Sequence, residues 1–140
     1  RLRSAKPAQG AWDAKNGPGR IMDIELAAQT CALIAGSPAR GVERQIAAGS
    51  GRIMPDSDAQ ALLSGYRLMW RLHAAARLLS EGALEWGSLG EGGRAFILRE
   101  TGAADAEGLA AGLARAIGEA EAAVTRLVGT ADGETGDGTG

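Results

Sequence analysis

Three features of the sequence predict an all-α fold. Ala, Leu, Glu and Arg are abundant, and aromatic residues make up only 4% of the chain, whereas strands lean on aromatic and β-branched side chains. Apolar residues recur at three- and four-residue steps through several segments. Gly and Pro punctuate those segments at intervals that suit helix boundaries. Together these predict one domain in 140 residues, a helical bundle of about five helices built around a long central helix.

Residues 1 to 11 read as a flexible lead-in, with Pro7 and Gly10 as breakers. Gly17, Pro18 and Gly19 make a tight turn, and a helix begins just after it. Ile21, Ile24, Ala28, Cys31 and Ala35 form its apolar face, and Gly36, Ser37 and Pro38 end it. A short helix is expected over Ala39 to Ala48, followed by a loop at Gly49, Ser50 and Gly51.

The long helix runs from about Ser57 to Ser80. Ser57 and Gln60 have capping-box spacing. Leu62, Tyr66, Met69, His73 and Ala76 share a stripe, with Leu68, Leu72, Ala75 and Leu79 beside it. So wide an apolar surface belongs to a central helix. Arg67 and Arg71 face away from the Leu62 stripe. They read as a solvated face or as a surface for another domain or a protein partner.

A Gly-rich connection over 81 to 93 carries Trp86. A short helix from about Gly92 to Glu100 stops at Gly102. The last helix spans about Asp105 to Val128, with Leu109, Leu113, Ile117, Ala120, Val124 and Leu127 on one face. Gly108, Gly112 and Gly118 weaken it by roughly 1 kcal/mol each relative to Ala and suggest close helix approach. The helical domain is thus expected over 12 to 128. Residues 129 to 140 read as a disordered, acidic, Gly-rich tail.

Composition narrows function. There is no apolar run of membrane-spanning length. The chain opens on Arg1 with neither an initiator Met nor a signal-peptide pattern, which suggests a fragment cut from a longer protein or a trimmed terminus, and a cytoplasmic home is expected. One cysteine, Cys31, makes no disulfide framework and no cysteine-rich zinc site; it reads as a small core residue. Residues 1 to 52 hold eight Lys or Arg against four Asp or Glu, while residues 53 to 140 hold seven against thirteen. An anionic partner therefore suits the first third. The excess is too small, and too poor in interleaved aromatics, for a nucleic-acid binder.

The stretch "WDAKNGPGRIMDIEL", residues 12 to 26, stands apart from the rest. A Gly-rich turn feeding a helix offers free amides to a phosphate or carboxylate, and Lys15 and Arg20 flank it with positive charge. Asp23 and Glu25, two apart on a helix, point in different directions and cannot form a metal pair on one face. Three roles for these acids follow: satisfying the helix dipole, holding Lys15 or Arg20 by an ion pair, or meeting a magnesium–nucleotide complex.

Elsewhere the candidates are fewer. The "DSD" at Asp56 to Asp58 reads as helix capping. His73 reads as a hydrogen-bonded interior residue, since no second His or nearby Cys completes a site. Trp12 and Trp86 fit either packing or interdomain contact. No catalytic residue and no metal ligand is assigned.

The same stretch resembles the Asp-x-Lys-x-Gly-x-Gly-Gly-Ile-x-Asp-Ile-Glu-Phe motif of the glutamine synthetase adenylyltransferase family, whose helical domain is PII-uridylyltransferase-like. Asp13, Lys15, Gly17, Gly19, Ile21, Asp23, Ile24 and Glu25 fall on that pattern, and Gln29 follows it. "GSGRIMPDSDAQ" and "ALLSGYRLMWRLHAAARLL" are similar to the family's next segments. Arg20 stands where the family has its second Gly of a pair, and Leu26 replaces Phe. Arg20 is expected to crowd a backbone that approaches a neighbour closely.

The resemblance implies a helical domain following a nucleotidyltransferase domain, in an enzyme that transfers AMP from ATP to a tyrosine of glutamine synthetase. It implies ATP and Mg as cofactors of the parent enzyme, with none held tightly by this piece, because the metal-binding carboxylates lie in the preceding domain. Implied partners are that domain, glutamine synthetase and PII signal proteins. Lys15, Gly17, Gly19 and Arg20 are then candidate contacts to nucleotide phosphate. Asp13, Asp23, Glu25, Arg67 and Arg71 are candidate structural or interdomain residues. The alternative is a regulatory helical domain that binds PII and takes no direct part in the chemistry.

Overall fold

The computed structural model describes residues 6 to 129 with their side chains and carries the backbone of the last helix on to Thr139. Five α-helices and one short 3-10 turn follow in order: α1 Ile21–Ala35, α2 Val42–Gly49, α3 Asp56–Leu79, the turn Trp86–Ser88, α4 Glu91–Thr101 and α5 Ala106–Thr139. The described residues hold no strand beyond an isolated bridge between Ser50 and Met54. The all-α bundle with a long central helix is therefore what forms. Beyond Gly129, the tail expected over 129 to 140 lies outside the residues whose side chains are described, as do residues 1 to 5 of the lead-in.

α3 is the axis. Leu62, Gly65, Met69, Leu72 and Ala75 are buried along it, close to the face its periodicity predicts. Tyr66 and His73 are only half-buried, and Leu79 is exposed. The core face is thus turned toward Gly65 and Leu72. α5 covers it, burying Leu109, Leu113, Ala120, Ala123, Val124 and Leu127. The two helices run antiparallel. Asp58 near the start of α3 meets Arg126 in the C-terminal half of α5, and Gly65 lies against Ala116 and Ala120. Burying a side chain such as Leu62, at 0% exposure, contributes about 1.5–3 kcal/mol.

α1 and α2 pack together through Ile24, Ala28, Cys31 and Ile46, all fully buried. Burial pushes the Cys31 thiol up to about 11, so it stays protonated, a small apolar group in the core. Gly36 and Gly102 close α1 and α4 in left-handed conformation, as their sequence positions predict.

Two local expectations fail. The capping box does not form: Pro55 is the N-cap of α3 and no side chain caps it, so Ser57 lies inside the first turn. The Gly residues of α5 do not mediate close approach either. A Cβ added at Gly112 or Gly118 meets nothing within 4 Å, and at Gly108 it meets only Asp105. The close approach onto α5 comes from Gly19, in the loop before α1, where a Cβ would run into the Ile117 carbonyl and crowd Glu121. Its φ of +75° also favours glycine.

Candidate functional site

The stretch from Trp12 to Arg20 folds as a self-contained loop, and Asp13 organises it. Its carboxylate accepts the amides of Gln9 at 2.9 Å and of Lys15 and Asn16 at 3.0 Å each. An Asx-type turn of this kind takes over the role of a backbone turn. Burial pushes the Asp13 carboxyl up, but the three amides, with the Asn16 side chain, outweigh it and hold it below its ordinary value.

Arg20 reinforces the same loop from the other side. Its Nε donates to the Asp13 carbonyl at 2.6 Å and its Nη1 to the Pro18 carbonyl at 3.3 Å. The crowding expected at Arg20 does not arise. Arg20 is extended, at φ −99° and ψ −179°, and the positive φ values fall on Gly17 and Gly19. The long Arg20 side chain thus acts as a brace.

The helix-start amides are engaged within the protein. Gly19 donates to the buried Asp23 carboxylate at 2.7 Å, and Arg20 donates to the Gly17 carbonyl at 3.2 Å. Ile21 and Met22 donate to the Ala14 and Lys15 carbonyls at 3.0 Å. These are donors that an anion would have used, so the loop satisfies its own orphan groups. Gly17 and Gly19 are buried, Gly19 against α5. Asp23 sits at the third helical position and reaches back across the turn, in the manner of a capping box. Glu25 is half-buried.

What the loop turns outward is Lys15. Its side chain is exposed and lines a cleft of about 360 Å³. The opposite wall is the C-terminal half of α3, with His73, Ala76 and Arg77, and residues 81 to 84 close one end. Lys6 and Gln9 line it from the lead-in. Trp12 anchors the loop beside this connection by stacking on Trp86, with ring centroids 5.1 Å apart and planes 19° apart. Arg94 lies over the Trp86 ring and donates to the Trp86 carbonyl at 3.2 Å. The two tryptophans are therefore packing residues of one clamp.

His73 is not the interior residue its stripe suggests. It is half-buried at the cleft, its ring edge-on to Trp70. Burial, then Lys15 and Arg77, lower its pKa from the ordinary histidine value, with Asp13 opposing. Among the described residues neither Lys15 nor Arg77 forms a salt bridge.

Arg67 and Arg71 lie apart from this cleft. Arg67 pairs with Glu43 of α2 at 2.6 Å on an exposed surface. Arg71 lines a shallow, mostly apolar hollow with Trp70, Leu78 and Phe96. A larger hollow of about 910 Å³ runs along residues 37 to 44 under Tyr66. It is an open surface trough, and it takes in none of the residues on the motif.

Sequence reasoning missed one arrangement outright. The Asp58 carboxylate is buried and takes a two-pronged contact from Arg126, at 2.9 and 2.8 Å. Its role is this tie between helices, and the capping role expected of the "DSD" stretch falls to none of its residues. Asp56 instead accepts the Ser50 hydroxyl at 2.6 Å. Asp58 and Arg126 are 68 residues apart, so no local spacing could have paired them.

The molecule is thus a helical bundle whose most elaborate loop presents Lys15 to a cleft that also holds Lys6, Arg77, Asp13 and Glu81. Comparison with known families bears on the class of protein. Residues 3–130 match the family described as GlnD PII-uridylyltransferase. The chain belongs to that family, and is a helical domain of a nucleotidyltransferase family linked to PII. No curated protein and no solved structure matches it.

Proposed function

We propose that the chain is the helical domain next to a nucleotidyltransferase domain in an enzyme that transfers AMP from ATP to a tyrosine of glutamine synthetase. Its task is to wall the active-site cleft and to place Lys15 near the nucleotide phosphates. The observation that carries this reading is the loop from Trp12 to Arg20. Asp13, Gly19, Arg20 and Asp23 are engaged in bonds within the loop and helix start, while the Lys15 side chain is exposed at the cleft.

A rigid loop supporting one mobile cation suits electrostatic stabilisation of a transferring phosphoryl group, because the cation is positioned in advance. The residues do not suit a magnesium site. No three His, Cys, Asp or Glu of the described residues come together, and the Asp13 oxygens already accept amides. In this reading, as the resemblance implies, the metal-binding carboxylates lie in the preceding domain, and the chain alone is expected to transfer no nucleotide. Lys15→Ala in the intact enzyme tests the reading. A lower transfer rate and weaker ATP affinity are expected; unchanged values would remove Lys15 from the reaction.

A second reading has its own support. The family is described by its action on PII, and Trp70, Leu78 and Leu79 leave apolar surface exposed along α3, at 41%, 77% and 40%. In this reading the bundle binds PII and relays its state. Leu78→Glu separates the two. It abolishes PII response without changing basal transfer if α3 docks PII, and changes neither if Lys15 carries the function.

A further inference from the structure

We infer that the cleft between the Trp12–Asn16 loop and the C-terminal half of α3 is an anion-binding site for a di- or triphosphate, with Lys15 and Arg77 as its charged arms and His73 at its base.

Three observations converge on it. The cleft draws its cations from separate parts of the chain: Lys6 from the lead-in, Lys15 from the loop and Arg77 from α3, which also supplies the His73 imidazole. Arg77, in the last turn of α3, complements the helix dipole there. That does not account for Lys15, which a different element brings to the same cleft. Next, the opposing charge is limited. Asp13 and Glu81 also line the cleft, but the Asp13 carboxylate is already committed to three amides of its own loop. Lastly, among the described residues Lys15 and Arg77 have no ion-pair partner. Arg67 and Arg126, by contrast, are both paired.

Burial first, and then the neighbouring Lys15 and Arg77, lower the His73 pKa and keep the imidazole from taking up a proton. A bound polyphosphate reverses the field. Arg77 offers a planar fork and Lys15 a point charge, a combination that suits adjacent phosphoryl groups. His73 then takes up a proton and becomes a third donor. Binding should therefore tighten as pH falls through the ordinary histidine range. The groups facing His73 that set this dependence are Lys15 and Asp13 of the loop, Arg77 of α3, and Lys6 and Glu81 at the cleft's edges. The inference rests on the preceding reading only in naming a nucleotide as the natural source of the phosphates.

His73 is the sole histidine of the chain, so its imidazole resonances give a direct readout. Titrating the 140-residue chain with inorganic pyrophosphate should shift them and raise the His73 pKa. Lys15→Gln and Arg77→Gln should each weaken binding by about tenfold, the worth of one charge-assisted contact. Glu81→Gln should strengthen it. All three positions are exposed, and far-UV circular dichroism checks that each variant is folded.

ATP in place of pyrophosphate identifies the source: equal affinity means that the phosphates alone are read, and tighter binding of ATP means that the nucleoside adds contacts. Either supports the site. No change in the His73 pKa at millimolar pyrophosphate overturns it. So does a shift that NaCl of matched ionic strength reproduces, or one that survives both Gln variants. If pyrophosphate binds here while Lys15→Ala leaves nucleotide transfer in the intact enzyme unchanged, the transfer reading fails and this site stands. If transfer falls but pyrophosphate leaves His73 unmoved, the reverse holds.

Discussion

The two ends of α3 handle charge in opposite ways. At the N-terminal end, Asp58 is buried and gripped by the Arg126 fork of α5. At the C-terminal end, Arg77 and His73 face the cleft with Lys15, and the Asp13 and Glu81 carboxylates that share its lining form no salt bridge with them among the described residues. Both ends agree with the helix dipole, acids first and bases last. They differ in what lies across from them: a packed neighbouring helix at one end, and a loop with a cleft at the other. A charge brought against a packed helix needs its partner in place to offset desolvation. A charge beside a cleft stays solvated, and is available to a ligand. The first end ties two helices together, and the second leaves its charge open to solvent.

The closed end breaks most severely at Leu62, one turn beyond Asp58 and fully buried. Leu62→Ala should cost about 2–5 kcal/mol, because a cavity opens where α3 meets its neighbours. Chemical denaturation measures it, and a loss below about 1 kcal/mol would show that α3 is not the axis of the core.

Next in size is Gly19→Val, which attacks the seat of the loop that carries Lys15. Left-handed backbone strain alone costs about 1–3 kcal/mol, and the Ile117 carbonyl blocks the new side chain. The expected outcome is a lower thermal midpoint together with loss of the Trp12–Trp86 stack, visible in near-UV circular dichroism. An intact stack would mean that the loop does not depend on its α5 contact.

Asp58→Asn sharpens the comparison through pH. Hydrogen bonds from Arg126 hold the Asp58 carboxyl below its ordinary value, against the opposing push of burial. A depressed carboxylate contributes stability that is present above its unfolded value and lost as pH falls through its folded value. The variant should therefore melt a few degrees lower at neutral pH and converge with the parent in acid. A constant difference across pH would mean that the carboxylate's charge does not matter.

The smallest effect belongs to the open end. Lys15→Gln with Arg77→Gln should leave stability within about 0.5 kcal/mol of the parent, as is usual for solvated surface positions. A marked loss would show that these residues support the fold.

Much of the fold was legible before the structure. Ile24, Ala28 and Cys31 lie on the face their spacing predicts, and so do Leu109, Leu113, Val124 and Leu127. Gly36 and Gly102 end their helices where expected. These are short-range properties, set by the helical repeat and by backbone freedom at single positions. The site was legible only as a string. Its composition suggested amides open to a phosphate, yet Asp23 and the Ala14 and Lys15 carbonyls take up the amides of Gly19, Ile21 and Met22. Bonds of that kind depend on how the loop folds back on itself, which a list of residue types does not specify.

By itself, then, the sequence determined where helices start and stop, which faces they bury and which stretch departs from the pattern. Tertiary structure alone decided that Asp58 finds Arg126 across 68 residues, that Trp12 stacks on Trp86, and that His73 and Arg77 share a cleft with Lys15. The physical reason is range. Periodicity and capping act within a few turns of chain, whereas partners on separate elements meet only once packing has set the elements' register and distance.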